Sequence, residues 1–209
     1  METTEQAHAY AVADFSQSND SFILNLFESY QVKEHTKILD VGCGDGEIPI
    51  KIYNKVKCKI SAIDGSQSML DEFSRKLNKN NIDNIEVFHQ RFENNTFDNN
   101  SFDVVISNSV LHHVRSPQEF WNNVIMLTKS GGCIFLMDLI RPSNENELSQ
   151  ILEKYGGNDP VLLNDFENSL RAAYTIDEVI NHLSIHSLAR SSVKAISDRH
   201  FFVNIQLKE

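Results

Sequence analysis

Residues 38–46, Ile-Leu-Asp-Val-Gly-Cys-Gly-Asp-Gly, restrict what this chain can fold into more than any other stretch. A short apolar run ends in glycines at alternate positions, Gly42, Gly44 and Gly46. A second apolar run, Ile60-Ser61-Ala62-Ile63, ends in Asp64. Glycine lets a ligand press on the main chain with no Cβ in the way. A helix beginning near Glu47 turns its free N–H groups towards the same point. Strand, glycine turn, helix, strand, carboxylate: this order describes a parallel sheet that holds a nucleoside-bearing ligand at its edge.

The spacing narrows the ligand. Dinucleotide sites use Gly-x-Gly-x-x-Gly, with the third glycine inside the helix; here the period is Gly-x-Gly-x-Gly. Asp40, two residues before the first glycine, suits a cationic group and is a poor neighbour for a pyrophosphate. Asp45 adds a second negative charge within the loop. A ligand with an adenosine, a positive centre and no phosphate fits these charges, and S-adenosylmethionine (SAM) is such a molecule.

Hydrophobic periodicity sets the frame around this loop. Ala9, Val12 and Phe15, then Phe22, Ile23, Leu26 and Phe27, predict helices within 5–29, with Asp20 or Ser21 capping the second. Strands are expected over 37–41, 59–64, 85–90, 102–108 and 132–140. Helices are expected over 47–56, 67–79 and 117–128, the last with Ser116 as cap and Pro117 in its first turn. Near-continuous apolar strands alternating with helices mean a parallel sheet covered on both faces. The segment 141–174 is an insertion with two helical stretches, one through Leu148, Ile151, Leu152 and Tyr155, the other through Leu162, Leu163, Phe166 and Leu170. Thr175-Ile176-Asp177-Glu178 is a capping box that starts a new helix. Strands over 188–197 and 200–208 close the chain as a hairpin whose last strand is antiparallel. Residues 1–209 thus read as a single α/β domain: a Rossmann-like, seven-stranded, mostly parallel sheet with an antiparallel last strand and helices on both faces. Its parts are an amino-terminal helical cap (1–30), a ligand-binding core (36–140), a cap insertion after strand five (141–174), and a carboxyl-terminal helix and hairpin (175–209). Ligands in open α/β sheets lie beyond the carboxyl ends of the strands, so the two caps are expected to form a lid over a small-molecule pocket.

The motifs also carry a resemblance. Asp-Val-Gly-Cys-Gly-Asp-Gly followed by Ala62-Ile63-Asp64-Gly65-Ser66-Gln67-Ser68-Met69-Leu70 resembles the first two motifs of the class I SAM-dependent methyltransferases. Residues 101–108 (Ser-Phe-Asp-Val-Val-Ile-Ser-Asn), then Leu111-His112-His113-Val114, and Gly131-Gly132-Cys133-Ile134-Phe135-Leu136 resemble the stretches that follow in that family. The resemblance runs in order from about residue 36 to 140. It implies SAM as methyl donor, S-adenosyl-L-homocysteine as product, and a cofactor-binding set of Asp40, Gly42, Cys43, Gly44, Gly46, Asp64, Gly65, Met69, Arg91, Phe92 and Asn108. By it, backbone around Gly42 and Gly44 meets the methionine part, Asp64 accepts from both ribose hydroxyls, and Met69 flanks the adenine. Arg91 departs from the pattern, because relatives carry an acid there that contacts the adenine amino group. Arginine accepts no hydrogen bond, so the backbone or Phe92 is expected to read the adenine edge instead.

Methyl transfer from a sulfonium is an in-line displacement that mainly needs alignment. A base is needed only when the acceptor must lose a proton early. Asn108, with Ser109, is placed to line the methyl, and His112 or His113 is a candidate base; a histidine fixing the turn is the competing role. Asp138 and Arg141, at the end of strand five, and Tyr10 are candidate contacts for the acceptor, as against caps, ion pairs or packing. The expected acceptor is a small molecule methylated on O or N; an RNA or protein methyltransferase, or a non-catalytic SAM-binding module, is the alternative. A net charge of −10 points away from nucleic acid. The other histidines are dispersed without ligand spacing, so no metal is expected. Cys43, Cys58 and Cys133 read as scattered reduced thiols. With no apolar run of membrane-spanning length and no leader, the expectation is a cytoplasmic protein without membrane contact.

Overall fold

The computed structural model describes residues 15–188 and 193–208; Tyr10 and the helical pattern at 5–14 lie outside the described residues. Among the described residues seven strands form one sheet: β1 (Lys37–Val41), β2 (Lys59–Asp64), β3 (Ile85–His89), β4 (Phe102–Asn108), β5 (Thr128–Leu139), β6 (Val193–Ala195) and β7 (His200–Gln206), in the order β3-β2-β1-β4-β5-β7-β6. All neighbours are parallel except β7, which runs antiparallel to both β5 and β6. The chain moves outward from β1 to β2 and β3, then returns to β4 on the other side of β1. That reversal opens a crevice at the carboxyl ends of β1 and β4, where ligands bind in open α/β sheets.

Seven helices accompany the sheet among the described residues: α1 (Ser16–Ser29), α2 (Glu47–Lys55), α3 (Gln67–Asn80), α4 (Pro117–Leu127), α5 (Glu145–Tyr155), α6 (Pro160–Ala172) and α7 (Ile176–Ser184). Alternate strand residues face opposite ways, and each face builds its own core. On one face Ile38, Ile60, Val104, Ile106 and Phe135 meet Phe22 and Leu26 of α1, Ile52 of α2 and Phe73 of α3. On the other, Leu39, Val41, Val105, Ile134, Leu136 and Val203 meet Phe120, Trp121 and Val124 of α4 and Val179 and Leu183 of α7. None of these helices is long and apolar enough to cross a membrane.

Local chemistry accounts for most boundaries. Ser116 accepts from the Glu119 N–H at 3.3 Å ahead of Pro117, and Thr175 and Glu178 close the capping box of α7. Two boundaries differ most from the sequence reading. Helix α1 starts at Ser16 with no side-chain cap, so Asp20 lies inside it and pairs with Lys51 of α2 at 2.8 Å. Strand β5 begins at Thr128, directly after α4, and its register against β4 slips between Phe102 and Val104. The polar start of β5 hid it: Lys129 reaches Asp103 at 2.6 Å instead of turning inward. Of the expected 188–197 strand, Val193–Ala195 is strand, and 189–192 lie outside the described residues.

The insertion folds into α5 and α6. They bury Leu148, Ile151, Leu170 and Ala173 against Leu139 in a small core of their own. Helix α6 also packs against the turn at Leu111–His113, so the insertion adjoins the crevice.

Candidate functional site

The glycine loop is held from below by its neighbours. Gly42 and Cys43 donate to the Ile63 carbonyl at 2.8 and 3.1 Å, and Gly44 N–H donates to Asp64 Oδ2 at 2.9 Å. The three glycines do different jobs. A side chain on Gly42 would run into Val110, and one on Gly46 into the ring of Phe73; these two let β4's exit and α3 close on the loop. Gly44, at φ +54°, would bring a Cβ only against the Met69 methyl, at 3.2 Å. Asp45 does not add free negative charge: its carboxylate is paired with Lys76 of α3 at 2.5 Å.

Asp64 ends β2 half-buried and anchors backbone on both sides, with Oδ1 accepting from Ser66 N–H at 2.8 Å and Oδ2 from Gly44 N–H. Each carboxylate oxygen keeps a further lone pair for a ligand hydroxyl. Asp40 is 2% exposed in β1, and its Oδ2 has no hydrogen-bond partner among the described residues. Burial, with the nearby charge of Asp64, pushes its pKa up to about 8. A buried acid without a donor is costly unless a cation completes it. Asn108, at the end of β4, also buries an Oδ1 that lacks a partner among the described residues. Ser109 beside it takes φ +58°, a conformation uncommon outside glycine and concentrated at functional sites.

Beyond Asn108 the chain makes a short 3₁₀ turn, Leu111–His113. His112 is buried, and its Nδ1 lies 2.5 Å from Asp138 Oδ1. Asp138, 1% exposed near the end of β5, also accepts 2.7 Å bonds from the Leu111 and Leu139 N–H groups. His112 Nε2 is buried without a partner among the described residues. His113 stacks beside it with ring centroids 4.0 Å apart.

The other candidate residues take the following places. Met69 is 1% exposed, backing the loop behind Gly44. Phe92 turns into the core and meets Phe120 edge-on at 5.5 Å, so it is not free to read an adenine edge. Arg91 is exposed and brings its Cγ over Gly65, 3.4 Å from where a Cβ there would lie. Arg141 pairs with Glu178 at 2.6 Å and donates to the Ala173 carbonyl, clasping the two ends of the insertion together. Gln90 was not anticipated: its N–H donates to the Asp64 carbonyl, and its Nε2 is buried without a partner among the described residues. A single polar residue at a strand end carries no sequence signal for such a place. Cys43, Cys58 and Cys133 are buried thiols, and burial pushes the latter two up to about 11 and about 12. Among the described residues, no group of three or more His, Cys, Asp or Glu is arranged to hold a metal ion.

Comparison with known proteins agrees with this geometry. A family model described as a methyltransferase domain matches residues 32–183. An uncharacterised methyltransferase of Schizosaccharomyces pombe is 28% identical over 168 residues, covering 73% of this chain and 58% of that protein. A ubiquinone biosynthesis O-methyltransferase of Rickettsia bellii is 31% identical over 121 residues, covering 57% and 48%. The chain thus spans about half the length of the curated relatives it matches. The crystal structure of a SAM-dependent methyltransferase from Aquifex aeolicus superposes with a TM-score of 0.72 over 98% of both chains at 19% identity. Strand order, glycine loop and β2 carboxylate place this chain in the methyltransferase-domain family, among the class I SAM-dependent methyltransferases.

Proposed function

We propose that this protein binds SAM in the crevice at the carboxyl ends of β1, β2 and β4 and directs its methyl group to an oxygen or nitrogen of a small-molecule acceptor. The observation that carries this reading is the unpartnered polar lining of the crevice: Asp40 Oδ2, close enough to feel the charge of Asp64, and Asn108 Oδ1 are buried without hydrogen-bond partners among the described residues. Those residues fit SAM, which brings an ammonium, a sulfonium and a pair of ribose hydroxyls. Bound there, SAM supplies an activated methyl group. Asp64 would clasp the ribose, the main chain at Gly44 would take the amino-acid tail, and Asp40 would answer the positive charge. Asn108 and the left-handed Ser109 would line the methyl and keep water from it.

The same acidity argues against RNA, whose phosphates need a cationic face. Helix α6 beside the Leu111–His113 turn narrows the approach, which favours a compact acceptor over a protein surface. A small-molecule substrate, no nucleic acid, no membrane and a cytoplasmic setting are the corresponding readings of partner and place. Calorimetry with SAM, then a metabolite extract exposed to methyl-labelled SAM, tests them. Micromolar binding with label in a small organic product is expected; label entering RNA or protein alone would overturn the choice of acceptor.

A further inference from the structure

We infer that Arg91 lays its guanidinium on the face of the cofactor's purine, so that this chain selects the base by stacking and not by its exocyclic amino group. This rests on the proposed SAM binding and adds to it the range of nucleoside donors that the site accepts. With the amino-acid tail at the β1 glycine loop and the sugar on Asp64 at the end of β2, the base falls at the exit of β3, the next strand outward. Several side chains at that exit are committed elsewhere. Phe92 packs in the core against Phe120. Glu93 lines a surface cavity with Glu119 and His186. Asn95 spends its amide on its own turn, donating to the Phe92 carbonyl at 3.0 Å and accepting from the Phe97 N–H at 3.3 Å. Arg91 differs. It is exposed, and its Cγ lies over Gly65, the residue after the carboxylate that would hold the ribose. No ion pair or side-chain hydrogen bond holds its guanidinium among the described residues. The stem is thus seated beside the sugar site while the planar head is free to cover a ring placed there.

The chemistry of that head sets the selectivity. Guanidinium planes stack on aromatic faces by dispersion and cation–π attraction. Such stacking tolerates any base, because every base has a π-face. Arginine donates hydrogen bonds and accepts none, so it cannot take a hydrogen from the amino group of adenine. Hypoxanthine carries a carbonyl oxygen where adenine carries that amino group. A carboxylate at this place would reject hypoxanthine twice, by losing an N–H partner and by facing an oxygen. A stacked cation rejects it by neither route. Ordering a free arginine costs rotamer entropy, so the stack adds modestly to affinity and leaves its mark on selectivity. Donors altered at the amino position of the purine, deaminated SAM among them, are therefore ligands of this site.

The test needs no turnover and no acceptor. S-adenosylhomocysteine and its deaminated counterpart, S-inosylhomocysteine, are compared by calorimetry. The wild type is expected to bind the two within about threefold of each other. Arg91→Ala should weaken both by about fivefold and leave their ratio unchanged. Arg91→Lys, which keeps the charge without the plane, should behave like Arg91→Ala. Arg91→Asp should turn the site towards the adenine compound by about tenfold or more, since the carboxylate gains the amino donor. A wild-type preference for adenine beyond the threefold margin, or an Arg91→Ala variant that binds both compounds as the wild type does, overturns the inference and leaves the methyltransferase reading standing. Failure of the wild type to bind S-adenosylhomocysteine at all overturns that underlying reading.

Discussion

At the residue scale, Asp64 and the glycines separate binding from folding. Asp64 anchors two loop N–H groups and offers its remaining lone pairs outward. Losing two hydrogen bonds to a charged acceptor, each about 1.5–3 kcal/mol, predicts that Asp64→Ala weakens SAM binding by roughly 100-fold or more; calorimetry reading an unchanged affinity would refute the assignment. Gly46 and Gly44 should divide differently. At Gly46 a methyl group meets the Phe73 ring and the backbone is at φ +78°, so Gly46→Ala is expected to cost roughly 2–4 kcal/mol of stability. Gly44→Ala meets only the Met69 methyl and should cost about 1–2 kcal/mol for its left-handed backbone, yet lose most SAM affinity. Denaturant melts beside binding isotherms for the two variants check this, and equal behaviour of the pair would count against the division.

At the element scale, the insertion is closed by a clasp. Arg141, just past β5, reaches Glu178 at the start of α7 and the Ala173 carbonyl at the end of α6, so 141–174 leaves and returns at one point. A half-exposed pair of this kind contributes about 0.5–1 kcal/mol. Arg141→Ala is therefore expected to raise amide exchange in α5 and α6 several-fold while β1 and β4 stay protected; uniform loosening of the whole domain would rule out a local clasp. This element was legible in outline only. Periodicity located both helices, and the Thr175–Glu178 box marked where the insertion ends, because those signals are local in sequence. That Arg141 turns to Glu178 depends on how α7 packs, which no local pattern carries. The same holds for Met69 and Phe92, whose inward orientation follows from the rotation of α3 and from α4's aromatic face. The glycine loop was readable for the opposite reason: its turn, its strand and its carboxylate lie within 27 residues (38–64) and need no distant partner to be recognised. Asp45 shows the boundary between the two cases, since its charge was visible and its Lys76 partner, a helix away, was not.

At the scale of the whole molecule, one buried acid couples ligand, proton and stability. Asp40 lies in β1 between β2 and β4, with a pKa pushed up to about 8 by burial and then by Asp64. In the unfolded chain it ionises near 3.9. Between those values the native state holds a proton that the unfolded state has released, so stability falls as pH rises from about 4 to about 8 and levels off above. Two partly desolvated histidines act elsewhere: desolvation lowers His200 and His113 to about 4, so their contribution rises with pH up to about 6.5 and then stays constant. Subtracting an Asp40→Asn variant removes those shared terms. Over pH 5.5–8 the wild type should lose up to about 3 kcal/mol relative to the variant, on the order of 5–10 °C in Tm for a chain of this size. A cation beside Asp40 reverses the effect: SAM binding should release close to one proton at pH 7, and affinity should grow as the pH approaches 8. Calorimetry in buffers of different ionisation enthalpy reads that proton directly. Asp40→Asn should bind SAM more weakly and release none. If wild type and variant release the same number of protons, the positive end of the ligand does not sit against Asp40, and the assignment of the amino-acid tail to the glycine loop falls with it.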